Sequence, residues 1–305
     1  VTRSALYTGK LMMEKMRCEA LRRGVVLEER VMVTDLLTSD GKLPTKGSIV
    51  GAVGLNTRTG EFVVYHAGGV VLATGPMGTR TYVLYVNAHS GDGQAMAFRA
   101  GAELLNMEMT VSQAFGIWNK KFATGGQQQF LMNNAKIVNR LGDRVMERYM
   151  SAAKANNPEY DGHTEFGDIC RAIAIENLEG RGPCYFDLSG WSEENVAKMW
   201  KVLPATMTAF KNDGIDIRRD KIESTPMTAT YGSNQQAGLK VTTEFETTIP
   251  GLYAAGVTVF AGGGISPQAF CNISGYRAGE NAARRASEVK SQPLVKKQVE
   301  SLKEK

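Results

Sequence analysis

The stretch Ala67-Gly-Gly-Val-Val-Leu-Ala-Thr-Gly75 decides the reading of the fold. Its centre, Val70-Val-Leu-Ala73, is a short unbroken apolar run closed by Thr-Gly. A strand buried on both faces of a parallel sheet reads this way, because neither face meets water. Ligands gather at the carboxyl ends of such strands. The chain is therefore expected to be α/β, with a binding site close to residue 75.

Upstream of this stretch, Leu6, Leu11, Met12, Met16, Ala20 and Leu21 recur at helical spacing, and Gly24 stands where a helix-ending glycine would. A helix is expected from Ser4 to Arg23. The Val- and Leu-rich run Val25 to Leu37 predicts a strand. Ile49 to Leu55, a turn at Asn56 to Gly60, and Glu61 to His66 predict a β-hairpin. Downstream, Gly91-Asp-Gly93 precedes a predicted helix, Gln94 to Ala100, followed by Gly101. An acid in a tight glycine turn at a helix N-terminus can accept hydrogen bonds from a ribose or hydroxyl chain. A plain helix cap reads identically, and the residues alone leave both open.

The middle of the chain has its own composition. Asn119 to Gly167 is polar and irregular. A helix is expected over Ile169 to Leu178, a strand over Cys184 to Leu188, and a helix over Glu193 to Lys211 kinked or broken at Pro204. Residues 112–238 thus read as an inserted α+β domain, flanked by the two parts of a single domain at 1–111 and 239–288. In the second part, Thr248-Ile-Pro-Gly-Leu-Tyr-Ala-Ala-Gly256 reads as a turn and a short buried strand. Gly262-Gly-Gly264 then leads through Ser266-Pro-Gln268 into a helix ending near Glu288. The charged tail, residues 289–305, reads as a solvated end. The three tryptophans read as packing residues and the 14 methionines as core filler.

Composition narrows the function classes. The 305 residues carry 36 Lys+Arg against 31 Asp+Glu, 43% hydrophobic and 22% charged residues. Collagen-like, disordered and low-complexity chains are excluded. No apolar run approaches the roughly 20 residues that span a bilayer. The basic residues are scattered, so nucleic acid is not an expected partner. Four cysteines without a C-x-x-C pair, and three histidines, argue against a zinc ribbon, a cysteine-held iron–sulfur cluster or a histidine-rich metal site in this chain. Sparse cysteines fit a reducing compartment, here expected to be the cytoplasm. The first residue is Val and no signal peptide is visible.

Three stretches, in order, resemble one family: Val70-Val-Leu-Ala-Thr-Gly75; Gly91-Asp-Gly93-Gln-Ala-Met-Ala97 with Gly101-Ala-Glu-Leu-Leu-Asn-Met-Glu108; and Ile249-Pro-Gly-Leu-Tyr-Ala-Ala-Gly256 completed by Gly275-Tyr-Arg-Ala-Gly-Glu-Asn-Ala-Ala283. The chain resembles the flavoprotein subunits of fumarate reductase, succinate dehydrogenase, L-aspartate oxidase and adenylylsulfate reductase. The turn Gly264-Ile-Ser-Pro-Gln-Ala-Phe270 is most similar to adenylylsulfate reductase. The resemblance implies a partial FAD-binding Rossmann-like domain with an inserted α+β capping domain. The family's G-x-G-x-x-G unit is absent from this sequence, so the resemblance implies an internal portion, or a split subunit whose partner supplies the other half.

The resemblance also implies roles. Thr74 and Gly75 would touch the adenine side of FAD, and Asp92 the cofactor near the hinge to the capping domain. Ala255 and Gly256 would pass close to the flavin, with Val257 in place of the family's usual acid. Gly264, Ser266, Pro267 and Gln268 would form the turn that aims backbone N–H groups, Gln268 foremost, at the flavin pyrimidine edge. On the substrate side, Phe166-Gly167-Asp168 replaces the family's Pro-Arg-Asp, and Arg171 follows one helical turn on. Arg171 reads equally as a surface or salt-bridge residue. Thr230 stands where the family has a substrate-binding His, and a second substrate Arg is replaced near Gly262. Candidate substrate-side residues are Arg171, Arg140, Arg144 and Thr230. With three dicarboxylate-binding groups missing, interconversion of fumarate and succinate is not expected. The function implied is that of a FAD-dependent oxidoreductase subunit that works on a small molecule and passes electrons to an iron–sulfur partner. The alternative is a non-catalytic scaffold or electron-transfer subunit that keeps the fold.

Overall fold

A computed structural model describes residues 9–77, 90–108, 110–117, 130, 135–149, 166–230, 237–261, 267–290 and 292–304. The chain opens with helix α1 (Gly9–Arg22). Gly24, at φ 80°, ends it. The Gly24 N–H reaches Leu21 O and the Val25 N–H reaches Ala20 O, which is the paired closure that a left-handed glycine allows. A three-stranded antiparallel sheet follows, ordered β1 (Val31–Thr38), β2 (Ile49–Asn56), β3 (Phe62–His66). The first strand starts six residues later than its apolar run predicts. Arg30 sits at φ 64°, and its carbonyl accepts the Thr57 N–H instead of joining a ladder. The hairpin turn is as predicted: Asn56 Oδ1 accepts the Arg58 and Thr59 N–H groups, and Gly60 takes φ 75°.

The deciding stretch forms β4 (Val70–Leu72), which pairs in parallel with β11 (Leu252–Ala254), in register Val70↔Leu252 to Leu72↔Ala254. Two segments some 180 residues apart in the sequence thus lie side by side. One expectation fails. β4 is not buried on both faces, since Val71 is 37% exposed, and among the described residues β4 pairs only with β11. After β4 come helix α2 (Asp92–Ala100) and the short pair β5 (Leu104–Leu105) with β10 (Gly238–Leu239). Leu36, Ile49, Leu72, Met96, Ala97, Leu239, Leu252 and Phe270 share one apolar core.

The middle block builds a four-stranded sheet in the order β6 (Thr110–Ile117), β9 (Ile222–Thr230), β8 (Cys184–Asp187), β7 (Lys136–Val138). Helix α3 (Phe166–Leu178) packs on it. Pro204 breaks rather than kinks its helix. The result is α4 (Glu193–Val202) and α5 (Pro204–Asn212), with Pro at a helix start where its missing N–H costs nothing. These elements close over their own core, in which Phe130 meets Phe186 and Trp191 edge-on, with centroids 5.6 Å apart. Trp118 lies outside the described residues, and Trp200 is partly exposed. Buried Met96, Met199 and Met207 fit the core-filler reading, whereas Met13, Met16 and Met32 are exposed.

The last helices are α6 (Pro267–Glu288) and α7 (Lys296–Lys303). The tail is not solvated throughout. Leu294, Val299 and Leu302 pack on Leu37, Val50 and Val53. Buried Gln298 completes the contact. Its Oε1 accepts the Thr38 N–H at 3.0 Å while its Nε2 donates to Leu36 O at 3.4 Å. One side-chain amide thereby occupies the donor and acceptor that the outer edge of β1 would otherwise leave open. No helix among the described residues is long and apolar enough to cross a membrane.

Candidate cofactor site

The site grows from the carboxyl ends of β4 and β11. Ala255 N donates to Leu72 O at 2.9 Å, which carries the parallel pairing up to the point where both strands end in glycine. Gly75 takes φ 83° and Gly256 φ 65°. Both are left-handed values that a side chain would resist, and both let backbone approach a ligand. Behind Gly256, Ser274 Oγ accepts the Gly256 N–H at 2.8 Å and donates to Phe270 O at 2.6 Å, so α6 is tied to the end of β11. A Cβ on Gly256 would stand 3.2 Å from Cys271 Sγ.

Helix α2 closes the third side. Gly91, at φ 80°, is its N-cap residue and makes no side-chain cap bond. Asp92 is the first helical residue, exposed, and accepts from Ser90 Oγ at 2.5 Å. The plain-cap reading of Asp92 therefore fails. Its carboxylate lies at the positive end of the helix dipole without capping it. Gly93 rests against Thr74, and a Cβ there would fall 2.0 Å from Thr74 Oγ1. The next residue, Gln94, donates from Nε2 to Gly75 O at 3.0 Å. On the opposite side, Thr258 Oγ1 accepts the Gly75 N–H at 3.1 Å and donates to Gly75 O at 3.3 Å.

The structure therefore brings together Thr74, Gly75, Asp92, Ala255 and Gly256. Pro267 and Gln268 begin α6, and Gln268 Nε2 donates to Asn272 Oδ1 at 3.4 Å. Gly264 and Ser266 lie outside the described residues. Sequence reasoning missed Gln94, Thr258 and Ser274. The available signal was a polar residue inside an otherwise buried apolar stretch, since such a group needs a partner.

The substrate-side candidates are spread over the middle block. Arg171 is exposed on α3. Arg140 donates from Nη2 to Gly180 O at 2.8 Å. Arg144 pairs with Glu147 at 2.7 Å on the surface, and this partner raises its pKa further. Thr230 ends β9 opposite Thr110. The strongest electrostatic feature here is Glu176, 1% exposed on α3. Its carboxylate accepts from Arg181 at 2.7 and 2.9 Å, Tyr149 at 2.8 Å, Asn139 at 2.9 Å and Arg148 at 3.2 Å. The Arg181 bonds come first among the causes that lower its pKa to about 2. Burial, and then the Glu176 charge, push the Cys184 thiol up to about 11. A separate shallow cavity of about 310 Å³ between α4 and α5 is lined by Val196, Trp200, Met207 and Phe210 among others, and by no residue of the cleft.

The chemistry of these residues suits a dinucleotide. Glycines stand at both strand ends and in the α2 turn, where a ligand must meet backbone. Among the described residues Gln94 Oε1 is a buried acceptor with no partner, and a ligand hydroxyl or N–H would satisfy it.

Comparison with known proteins identifies the family. A fumarate reductase (CoM/CoB) subunit from Methanothermobacter marburgensis is 28% identical over 300 residues, spanning 92% of this chain and 49% of that protein. The succinate dehydrogenase flavoprotein subunit of Rickettsia conorii is 30% identical over 228 residues, spanning 72% of this chain and 35% of its own length. The chain thus spans half or less of these relatives. In fold it is similar to a quinol-fumarate reductase chain (TM-score 0.77, 23% identity, 98% of this chain and 52% of that one). It is likewise similar to adenylylsulfate reductase from Archaeoglobus fulgidus (TM-score 0.73, 21% identity, 93% and 51%). The sequence profile of the FAD binding domain family matches residues 1–268, and the chain belongs to that family.

Proposed function

We propose that the chain is the flavin-holding part of a FAD-dependent oxidoreductase subunit that passes a hydride or electron pair between a small substrate and FAD, then on to an iron–sulfur partner. One observation supports this reading: direct hydrogen bonds join Gly75 to Gln94 and Thr258, and Leu72 to Ala255, so chain segments near 75, 92 and 256, remote in sequence, meet at the ends of two parallel strands. FAD would supply the redox chemistry. The chain's own part is to hold and orient. Gly75 and Gly256 admit the cofactor, and Asp92 accepts from its hydroxyls. The start of α6 would present the Gln268 N–H to developing negative charge, and Gly264, Ser266 and Pro267 are proposed as further cofactor contacts.

Residues 1–111 and 239–288 would form the FAD-binding domain, and residues 112–238 a cap that excludes water from the reaction. The two separate apolar cores support that division. β4 has no second neighbour among the described residues, and Leu11, Met13 and Met16 of α1 stand exposed. Both features support completion of the sheet by a further strand, on the same or another polypeptide. The sparse, widely spaced cysteines Cys18, Cys170, Cys184 and Cys271 support residence in the cytoplasm.

Substrate contacts are proposed for Arg171, Arg140, Arg144 and Thr230. A second reading, a scaffold or electron-transfer subunit without substrate chemistry, is favoured by the ties of Arg140 to Gly180 and Arg144 to Glu147. The test is purification of the native assembly followed by titration with FAD and candidate substrates. The proposal expects a yellow protein with equimolar flavin, bleached by one small-molecule reductant. Flavin that no substrate reduces or oxidises favours the second reading. A colourless assembly that takes up no FAD overturns both.

A further inference from the structure

We infer that Gln94 and Thr258 are positioning residues that clamp the backbone of Gly75 and so fix one wall of the cofactor cleft. This inference rests on the proposed FAD site and adds two residues to it. A glycine at the end of a strand has more backbone freedom than any other residue type would have there. Here that freedom is removed from both sides. Thr258 Oγ1 accepts the N–H of Gly75 at 3.1 Å and donates at 3.3 Å to its C=O, to which Gln94 Nε2 donates at 3.0 Å. Thr258 is fully buried and Gln94 is 2% exposed, so water cannot replace either partner.

The two clamping residues come from different elements. Gln94 lies in the first turn of α2, and Thr258 closes the 3₁₀ turn Gly256–Thr258 that follows β11. A single glycine therefore registers both elements against the end of β4. Without the clamp, Gly75 would be ordered only when the cofactor arrives, and the ordering cost would appear as lost affinity.

The two amide atoms of Gln94 make the clamp separable from a direct contact. Nε2 is committed to Gly75, whereas Oε1 has no partner among the described residues. Gln94→Glu keeps an acceptor and loses the donor; Gln94→Leu loses both. Thr258→Ser keeps the hydroxyl; Thr258→Val removes it at nearly constant shape.

The experiment measures FAD dissociation constants for these four variants in the native assembly, together with amide hydrogen exchange at Gly75 without FAD. Thr258→Val and Gln94→Leu are each expected to raise the dissociation constant roughly tenfold, as for a lost buried hydrogen bond. Gln94→Glu should fall with Gln94→Leu, and Thr258→Ser should match wild type. The Gly75 amide should exchange faster in Thr258→Val. Wild-type affinity in Thr258→Val and Gln94→Leu overturns the clamp. So does full affinity in Gln94→Glu beside loss in Gln94→Leu, which would make Oε1 a direct ligand contact. If the wild type takes up no FAD, the cofactor reading falls. The clamp is then judged by exchange alone, and equal rates at Gly75 in wild type and Thr258→Val overturn it.

Discussion

Gly93→Ala is expected to weaken FAD binding about a hundredfold, a loss of roughly 2.8 kcal/mol. The new Cβ would lie 2.0 Å from Thr74 Oγ1, 2.8 Å from its Cγ2 and 2.9 Å from its Cβ. Rotation of Thr74 relieves the contact with Oγ1 but leaves that with Cβ, which moves only with the backbone. The start of α2 must therefore retreat from the end of β4. Overpacking of this kind costs about 1–3 kcal/mol. The retreat also carries Gln94 away from Gly75 O, forfeiting a bond worth about 1 kcal/mol. Equilibrium titration of flavin fluorescence measures the loss. Gly190→Ala is the control, because nothing lies within 4 Å of the Cβ it would add. Equal affinities in the two variants would mean that α2 and β4 do not share a cofactor surface.

The second large effect is on stability. Glu176→Ala is expected to destabilise the middle block by roughly 3 kcal/mol, because it removes the buried acceptor of several charge-assisted hydrogen bonds, while Arg181 keeps Glu179 and Arg148 keeps Asp143. Arg181, Arg148, Tyr149 and Asn139 would all lose their common acceptor. The same carboxylate sets an acid dependence. Its folded-state pKa, about 2, is depressed below the ordinary 4.5. Its contribution is therefore complete above pH 4.5 and is lost as pH falls toward 2, amounting to about 3 kcal/mol. Urea unfolding of wild type, Glu176→Ala and Glu176→Gln, followed by the fluorescence of Trp191 in the adjoining core, reads both effects: the first from Glu176→Ala near neutral pH, the second from Glu176→Gln across the acid range. The difference between wild type and Glu176→Gln should shrink through that acid window. A constant difference would show that the carboxylate is no more stabilised in the folded state than in the unfolded one.

Much of the fold could be read from local signals. The β4 run, the Asn56–Gly60 turn, Gly24 and Pro204 each carry a conformational requirement within a few residues, and each acted where it stood. The readings that failed depended on contacts remote in sequence. Nothing near Val25 announces that Arg30 turns left-handed and bonds Thr57. The charged residues of the last helix mask a stripe that needs Leu37 and Val53 to be meaningful. Val71 looks like a core residue because its neighbours are apolar, yet its burial is set by which strands lie alongside.

The candidate site follows the same division. Glycine turns at 75, 91, 93 and 256 are visible as punctuation. Gln94 and Thr258 become partners of Gly75 only after β4 and β11 align. The arginines read as substrate ligands carry no local mark that separates a ligand from a loop tie. Arg140 and Arg144 hold Gly180 and Glu147.

A structure of the protein with FAD bound tests the shared cleft most directly. FAD atoms should lie within about 4 Å of both the Gly75 and the Gly256 backbone. A cofactor that touches only one of these strand ends, or neither, would contradict the account.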